Sequence, residues 1–416
     1  MKILWFEVTT PSHYTNQNMV IGGWQDSLER IVRTCNDIEL YIAFESAYPQ
    51  ERKNVDGVKY IPIYLDYTKE EQKRKNKTWE VNAQKLIPAM KKIVEEIQPS
   101  LIQVFGTEWP FGLIAAHTDI PVVVHIQGAM APYNNALFPP GYNFFNVLQE
   151  IGWTKLSKLS KAWNNYQFDL SRSVIDENVW HVVPNYMGRT DWDKALSSVM
   201  HPGRTYFHVE EALRPQFTTG KITWSIPSPQ QKLKLISTGC SNFWKGPDMM
   251  IKTAALLTKL GIDFEWNVAG YMPNDIRRIV EKKEKLSFKD NHINILGYIA
   301  PEELLNYLCN STLYVHTAYV ENSPNSICEA QCIGIPIVST NVGGISTLVR
   351  HEETGLLVPA NDPWQMAAAI ISLSHDRKKM EEFSERGKNI AMKRHDDEHI
   401  KTQLLEVYQT LTKNKA

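Results

Sequence analysis

The chain has 416 residues, of which 45 are basic, 46 acidic and 43% hydrophobic. This length favours two domains of about 200 residues each, because a single core rarely grows that large. The balanced charge excludes the basic signature of a nucleic-acid-binding protein, and no run of about 18 apolar residues predicts a membrane span. Five scattered cysteines do not indicate a disulfide framework, so we expect a cytoplasmic protein.

The first half of the chain alternates short apolar strands with helical stretches, which favours a mostly parallel sheet covered on both faces. Ligands bind at the carboxyl ends of the strands in such a sheet. Three candidate ligand loops follow predicted strands there: the Gly22-Gly23 pair, the loop that carries Glu108, and the segment that begins at His125. The predicted strands cover residues 2–8, 38–44, 60–65, 101–105 and 122–125.

Residues 131–172 interrupt this alternation with aromatic and lysine side chains. Such side chains on one helix suit a membrane interface, and the basic run within residues 69–77 would add attraction to anionic lipid. A packed aromatic insert with a solvated basic face explains the same composition. The sequence leaves both interpretations open, and peripheral membrane contact through residues 69–77 and 138–166 is one of its predictions.

In the second half, the stretch 313–350 combines a short strand, a polar break and a helix-start signal. Ser323 is predicted to cap the helix and Pro324 to occupy its first position. The helix is predicted to cover residues 324–333 and to stop at Gly334. The amides at such a start favour a bound phosphate; they belong to Asn325, Ser326 and Ile327.

Two carboxylates bracket this helix start. Glu329 shares a helix face with Asn325 and Ser326, because it lies four and three positions beyond them, and Glu321 lies on the loop before the helix. Carboxylates beside a diphosphate need a compensating partner, most simply the hydroxyl groups of a sugar. The pattern suits a nucleotide whose diphosphate rests on the helix start, with one glutamate at the ribose and the other at a transferred sugar.

Glu321 and Glu329, separated by seven residues, are followed by GIPIV at 334–338, by Gly343-Gly344 and by TGLLVP at 354–359. This series resembles the nucleotide-sugar half of a retaining glycosyltransferase of family 4. The resemblance implies an α/β protein of the GT-B fold, with two facing, Rossmann-like, doubly wound domains and a cleft between them. The implied domains are an acceptor-side domain at 1–225 and a nucleotide-sugar domain at 226–394, with a terminal helix at 395–416 that packs back on the first.

The resemblance also implies roles for single residues. Lys245 would contact the donor phosphates as a catalytic group, but Cys240 stands about where the family usually has an assisting arginine. His125 would lie near the donor sugar and the acceptor as a second catalytic-site group, and Glu108 would contact the acceptor. Glu321, the third implied catalytic-site residue, would hold hydroxyls of the donor sugar. The implied donor-binding residues are Gly22, Gly23, Ser241, Asn242, Tyr298, Ser323, Asn325, Ser326 and the ribose-binding Glu329.

Asp191 and Asp193 form an Asp-x-Asp pair, which holds a divalent metal on the donor diphosphate in the other major glycosyltransferase fold. Here the pair lies outside the half that carries the nucleotide signature, and the helix start already offers charge stabilisation for a diphosphate. We therefore expect no metal site and no cofactor besides the UDP-, GDP- or ADP-sugar donor.

The sequence thus predicts a retaining, metal-independent glycosyltransferase that acts on a glycan or lipid-linked acceptor, typically in bacterial surface polysaccharide synthesis. We expect a cytoplasmic location, with the inner face of the membrane as the alternative. Two other classes remain open: a nucleotide-sugar epimerase or phosphorylase on the same fold, and a non-catalytic subunit that binds sugar nucleotides.

Overall fold

The computed structural model describes residues 1–14, 23–75, 77–152, 155–228 and 231–413. The chain divides into two compact units. The first comprises residues 1–134, 160–212 and 395–416, and the second comprises residues 135–159 and 213–394. The chain therefore passes between the units after residues 134, 159, 212 and 394.

The sheet of the first unit is formed by β1 Lys2–Glu7, β2 Glu39–Ser46, β3 Lys53–Val55, β4 Val58–Tyr64, β5 Leu101–Phe105, β6 Val122–His125, β7 Asn185–Gly188 and β8 Thr205–His208. Their order is β3-β4-β2-β1-β5-β6-β7-β8. All neighbours are parallel except β3 and β4. The predicted, mostly parallel sheet is confirmed, and the short strands β3, β7 and β8 were missed by the sequence prediction.

The sheet of the second unit is formed by β9 Leu233–Thr238, β10 Phe264–Ala269, β11 Ile293–Gly297, β12 Leu313–His316, β13 Ile337–Thr340 and β14 Leu356–Val358. Its order is β11-β10-β9-β12-β13-β14, and every pair is parallel. Strands β12 and β13 are buried along their whole length, as expected for strands covered on both faces.

Helices connect and cover these strands. In chain order they are α1 Trp24–Val32, α2 Lys69–Lys75, α3 Glu80–Ile97, α4 Met130–Asn135, α5 Phe144–Ile151, α6 Leu156–Val182, α7 Asp191–Met200, α8 Pro215–Thr218, α9 Pro247–Lys259, α10 Asn274–Glu284, α11 Pro301–Cys309, α12 Asn325–Ile333, α13 Ile345–Leu348, α14 Pro363–His375, α15 Arg377–Arg394 and α16 Asp397–Lys413. Within the described ranges, no helix combines the length and apolar character needed to cross a membrane.

The last helix, α16, belongs to the first unit although it is nearly 400 residues from β1 in sequence. Its buried side chains recur every three or four positions, which gives the helix one apolar face. The Tyr408 hydroxyl accepts a hydrogen bond from Trp5 Nε1 at 3.0 Å and donates to Gln103 Oε1 at 2.6 Å. These buried contacts join α16 to β1 and β5.

The boundary of the second unit lies at residue 213, not at the predicted residue 226. Leu213 and Phe217 are buried in its core, and Trp224 Nε1 donates to the carbonyl oxygen of Ser311 at 2.8 Å. These contacts join residues that are far apart in the sequence, so no local pattern reveals them. The predicted boundary followed the linker-like composition of residues 227–232 instead, and it was therefore placed too late in the chain.

Residues 135–159 form an excursion of the chain into the second unit. The rings of Phe138 and Tyr142 lie 5.5 and 5.8 Å from that of Phe243, and the Tyr142 hydroxyl donates to Glu284 at 2.6 Å. The first part of the aromatic segment is therefore a packed insert. Further along, other apolar side chains stay at least half exposed: Phe145, Leu156 and Trp163.

Replacing Tyr408 with phenylalanine tests how far α16 holds the first unit together. The change leaves Trp5 Nε1 and Gln103 Oε1 buried without their partner, which costs about 1–3 kcal/mol of the free energy of unfolding. Equilibrium urea unfolding measures this loss. Tyr48→Phe is the matched control, because that ring is 61% exposed, and equal stability of the two variants would contradict the assignment.

Candidate active site

Two glycines lie against the loop between β12 and α12, residues 317–324. Gly246 has a φ of +73°, and a Cβ atom there would lie 1.9 Å from the carbonyl oxygen of Thr317. Gly343 has a φ of +53°, and a Cβ atom there would lie 1.7 Å from the carbonyl oxygen of Glu321. Neither place leaves room for a side chain. The glycine turn that the sequence singled out therefore allows close backbone approach to the loop.

The turn that carries Lys245 is fixed to the same loop by hydrogen bonds. The carbonyl oxygen of Lys245 accepts a hydrogen bond from Thr317 Oγ1 at 3.0 Å, and the Tyr319 amide donates to the carbonyl oxygen of Trp244 at 2.7 Å. The Tyr319 hydroxyl also donates to Asp248 at 2.9 Å, next to the start of α9. The backbone of the lysine is thus anchored before its side chain makes any contact.

Lys245, Glu321 and His316 meet at one carboxylate oxygen. Lys245 Nζ lies 2.5 Å and His316 Nε2 3.2 Å from Glu321 Oε1. Burial acts to raise the pKa of the Glu321 carboxyl, but the Lys245 ammonium and the hydrogen bonds from both partners outweigh it and lower the pKa to about 2. Glu321 is therefore a buried anion with two donors on one side.

Glu329 forms a two-pronged ion pair with Arg214. Nε and Nη2 of the guanidinium lie 2.7 Å from Oε1 and Oε2 of the carboxylate. The guanidinium also lies over the ring of Phe217, 4.7 Å from its centroid. Burial raises the pKa of Glu329, and the arginine opposes that rise.

Helix α12 begins one residue later than predicted, at Asn325. Pro324 is its N-cap with extended backbone, so the predicted N-cap position of Ser323 is wrong. The Pro324 carbonyl accepts from the Ile327 amide at 2.9 Å, which removes that amide from the predicted anion site. The predicted stop at Gly334 is confirmed by its left-handed φ of +90°. Asn325 and Ser326 remain on the first turn.

At the position of the family's arginine, the Cys240 side chain is buried and only 1% exposed. Burial raises the pKa of its thiol to about 12. Asn242 Nδ2 donates to Ser241 Oγ at 3.3 Å, and Asn242 precedes the 3-10 turn Phe243–Lys245. Two polar side chains therefore lie close before Lys245 in place of a second cation.

Tyr298 follows the end of β11 and is 76% exposed. Its ring stacks on that of Tyr271, with 6.1 Å between centroids and 10° between planes. Stacked rings at the carboxyl end of a strand offer a face to a planar ligand.

In the first unit, His125 is fully buried at the end of β6. Its ring lies 4.7 Å from that of Trp24, in an edge-on arrangement. Burial lowers the pKa of His125 well below its ordinary value, and the charge of Arg189 adds to this. The histidine is therefore neutral near pH 7. Among the described residues, neither of its ring nitrogens has a hydrogen-bond partner.

Glu108 lies close to two glycine backbones. Its Oε2 is 2.3 Å from where a Cβ of Gly106 would be, and its Oε1 is 2.8 Å from the same point on Gly128. Burial raises the pKa of this carboxyl. Gly23 is the N-cap of α1, whereas Gly22 lies outside the described residues.

The Asp-x-Asp pair lies at the start of α7. Asp193 Oδ2 accepts from the amides of Arg189 and Thr190 at 2.9 and 3.1 Å, while Thr190 Oγ1 accepts from the Asp193 amide at 3.1 Å. This is a capping box, which uses Asp193 to hold the helix end. Among the described residues, no group of three His, Cys, Asp or Glu side chains is arranged for a metal ion.

Sequence reasoning brought Lys245, Glu321 and Glu329 to one region and missed two of their partners. His316 ends β12 five residues before Glu321, a strand-end position that could have drawn attention. Arg214 is 115 residues from Glu329, and no local pattern signals that pairing.

The family model of glycosyl transferases group 1 matches residues 219–390, a range that contains Lys245, Glu321 and Glu329. This range, which is less than half of the chain, is therefore similar to group 1 glycosyltransferase domains. The resemblance found in the sequence is therefore confirmed at the level of group 1.

Amylovoran biosynthesis glycosyltransferase AmsK of Erwinia amylovora is 25% identical to the chain over 189 residues. The match covers 44% of this chain and 45% of AmsK. By sequence, the chain thus spans a little less than half the length of this relative.

Two solved structures are similar to the whole chain. Sucrose-phosphate synthase from Thermosynechococcus elongatus has a TM-score of 0.73 at 15% identity and covers 99% of this chain and 98% of its own. Anabaena HepE in complex with UDP-glucose has a TM-score of 0.67 at 14% identity and covers 99% of this chain and 100% of its own. At such low identities the two likenesses show the fold alone. They confirm the predicted GT-B fold class.

The low pKa of Glu321 links stability to pH. A carboxyl whose pKa is about 2 when folded and near its usual 4.5 when unfolded stabilises the fold above about pH 4.5, and this contribution is lost as the pH falls toward 2. We expect Glu321→Gln to be less stable than the wild type at pH 6, with a difference that narrows toward pH 3.

Urea unfolding of both proteins at a series of pH values measures this difference. Glu353→Gln serves as control, since it removes a carboxylate that is 60% exposed and pairs with Arg350 only at the surface. A difference between wild type and Glu321→Gln that stays constant from pH 6 to pH 3 would contradict the assignment.

Proposed function

We propose that the protein transfers a sugar from a nucleoside diphosphate sugar to a hydroxyl of a glycan or lipid-linked acceptor. The observation that carries this proposal is the Lys245–Glu321 pair, held on a glycine-clamped loop directly before α12 within the range that is similar to group 1 glycosyltransferase domains. The cation and the helix start suit the diphosphate of such a donor, and the carboxylate suits the hydroxyls of its sugar.

Lys245 and the first turn of α12 would hold the donor diphosphate. Negative charge grows on the departing diphosphate as the bond to the sugar breaks, so fixed positive groups near it stabilise the transition state more than the ground state. The lysine supplies a full charge, and the amides of Asn325 and Ser326 supply the partial charge of a helix start. Ser241, Asn242 and Ser323 would add hydroxyl and amide donors near the same phosphates.

Glu321 would accept hydrogen bonds from the transferred sugar. The contacts from Lys245 and His316 both fall on Oε1, and within the described part of the chain Oε2 receives none. Since the carboxyl is ionised at neutral pH, Oε2 is a strong acceptor for a sugar hydroxyl. Glu329 would take the ribose hydroxyls, and Tyr298 would stack on the base.

The proposal extends to family 4 and to retention of configuration. The bond from the anomeric carbon to the diphosphate breaks, a bond from the same carbon to the acceptor oxygen forms on the same face, and the acceptor proton passes to the departing diphosphate. We propose a UDP-, GDP- or ADP-sugar as donor and no metal requirement, because Lys245 and the helix start can offset the charge. His125 and Glu108 are proposed for the acceptor side.

The names of two similar proteins support a biological setting for this activity. AmsK is named for amylovoran biosynthesis, and HepE was solved with UDP-glucose. We propose that this chain acts in bacterial surface polysaccharide synthesis, in the cytoplasm. The exposed apolar side chains of residues 138–166 support peripheral contact with the inner face of a membrane, together with the basic run in 69–77; Asn76 and Trp153 lie outside the described residues.

One observation favours a second candidate. Because Cys240 replaces a cation on the phosphate side, a subunit that binds sugar nucleotides without turnover is the alternative. Product formation with an acceptor alcohol distinguishes the two.

A thermal-shift panel tests donor binding. UDP, GDP, ADP and their sugar conjugates are added with and without a chelator, and one base is expected to raise the melting temperature in both conditions. A ligand at about a hundred times its Kd, bound only to the folded state, adds about 2.7 kcal/mol. A shift with no nucleotide would contradict the donor site, and a shift that the chelator abolishes would contradict metal independence.

Lys245→Ala tests the leaving-group role. We expect kcat to fall about a hundredfold, because one fixed donor to the departing charge is lost. The melting temperature falls as well, since the buried Glu321 carboxylate loses one partner, but the loss of activity should exceed the loss of folded protein. Lys259→Ala, an exposed lysine at the end of α9, is the control and should keep full activity. Parallel losses of stability and activity in Lys245→Ala would count against the assigned role.

A further inference from the structure

Arg214 lies before the first residue of the range that matches the group 1 model, yet it belongs to the second unit. Its neighbours fix it there. Leu213 and Phe217 are each 2% exposed, and Pro215 starts helix α8 directly after it. The guanidinium rests on the Phe217 ring. The arginine is thus held on a rigid segment before it reaches Glu329.

The geometry of the pair leaves half of the carboxylate available. A carboxylate has two oxygens with about four lone-pair positions, and a two-pronged arginine occupies one position on each oxygen. Both Arg214 distances are 2.7 Å, so the guanidinium and the carboxylate are matched in orientation. One position on each oxygen remains to accept a hydrogen bond. Because these two outer positions point away from each other, a ligand reaches one of them with one hydroxyl.

The charge of the arginine matters as well. The Glu329 side chain is 3% exposed, and burial acts to keep such a carboxyl neutral. An adjacent guanidinium favours the ionised form, which accepts hydrogen bonds about twice as strongly as a neutral group. A lysine would supply the charge without the planar, two-pronged geometry.

We propose that Arg214 is a positioning residue for the nucleoside half of the donor, which orients the Glu329 carboxylate so that one of its oxygens accepts a hydrogen bond from the 2′-hydroxyl of the ribose. This inference rests on the proposed function, because both assume that the site binds a nucleoside diphosphate. It makes Arg214 a determinant of the preference for ribose over deoxyribose. Arg214 itself does not touch the reacting atoms.

The experiment compares each nucleoside diphosphate with its 2′-deoxy counterpart. Calorimetric Kd values are measured for UDP and dUDP, GDP and dGDP, ADP and dADP, and for inorganic pyrophosphate. The proteins are the wild type, Arg214→Gln, Arg214→Lys, Glu329→Gln and the double variant. Arg278→Gln is the matched control, because it removes another arginine–glutamate pair of the second unit, with 2.7 Å between Arg278 Nε and Glu150 Oε1.

We expect the wild type to prefer the ribonucleotide by about tenfold or more, as befits a hydrogen bond to a charged acceptor. In Arg214→Gln this preference should fall to about twofold or less, while pyrophosphate binds as in the wild type. Arg214→Lys should keep an intermediate preference. The double variant should resemble Glu329→Gln, because coupled residues are not additive, and Arg278→Gln should leave the ratio unchanged.

A wild-type ratio retained in Arg214→Gln would overturn the inference and leave the proposed function intact. A purely structural role for Arg214 would weaken pyrophosphate and both nucleotides together without changing the ratio, and it would overturn the inference too. A wild-type ratio near one would remove both the inference and the ribose assignment of Glu329. If the wild type bound none of the nucleotides, the proposed function would fail, and the inference with it.

Discussion

The candidate site depends on backbone-to-backbone contact at the loop between β12 and α12. Two left-handed glycines, Gly246 and Gly343, approach the loop so closely that no side chain fits between them and its carbonyl oxygens. Because backbone contacts vary less than side-chain contacts, Lys245 and Glu321 start from fixed positions. The cation and the carboxylate are thereby placed before any ligand arrives, which is the condition for electrostatic preorganisation.

The second constraint is the burial of charge. Glu321 and Glu329 lie on either side of the start of α12, and each is less than 5% exposed. An isolated buried carboxylate would lose its charge. Glu321 keeps its charge because Lys245 and His316 lower its pKa. Burial raises the pKa of Glu329, and the guanidinium of Arg214 opposes that rise. The two acids are therefore chemically different, although their spacing in the sequence makes them look equivalent.

Local patterns were sufficient where local physics decides the structure. The apolar run of β12 and the glycine after α12 could be predicted, since a buried strand and a left-handed helix end each have a signature of a few residues. The Ser323 cap failed because Pro324 takes the N-cap position itself. The pairing of Arg214 with Glu329 and the passage of residues 135–159 into the second unit could not be predicted, because each depends on contacts more than 100 residues away.

The four passages of the chain between its units have a consequence for folding during synthesis. Trp5 leaves the ribosome well before its hydrogen-bond partner Tyr408, which lies 403 residues later in the chain. Tyr142 likewise forms its hydrogen bond only after Glu284, 142 residues later, has been made. The core of the first unit therefore stays incomplete until α16 has been made, and such non-local closure is slow and exposes apolar surface. The second unit does not include α16, so its core can close before that of the first.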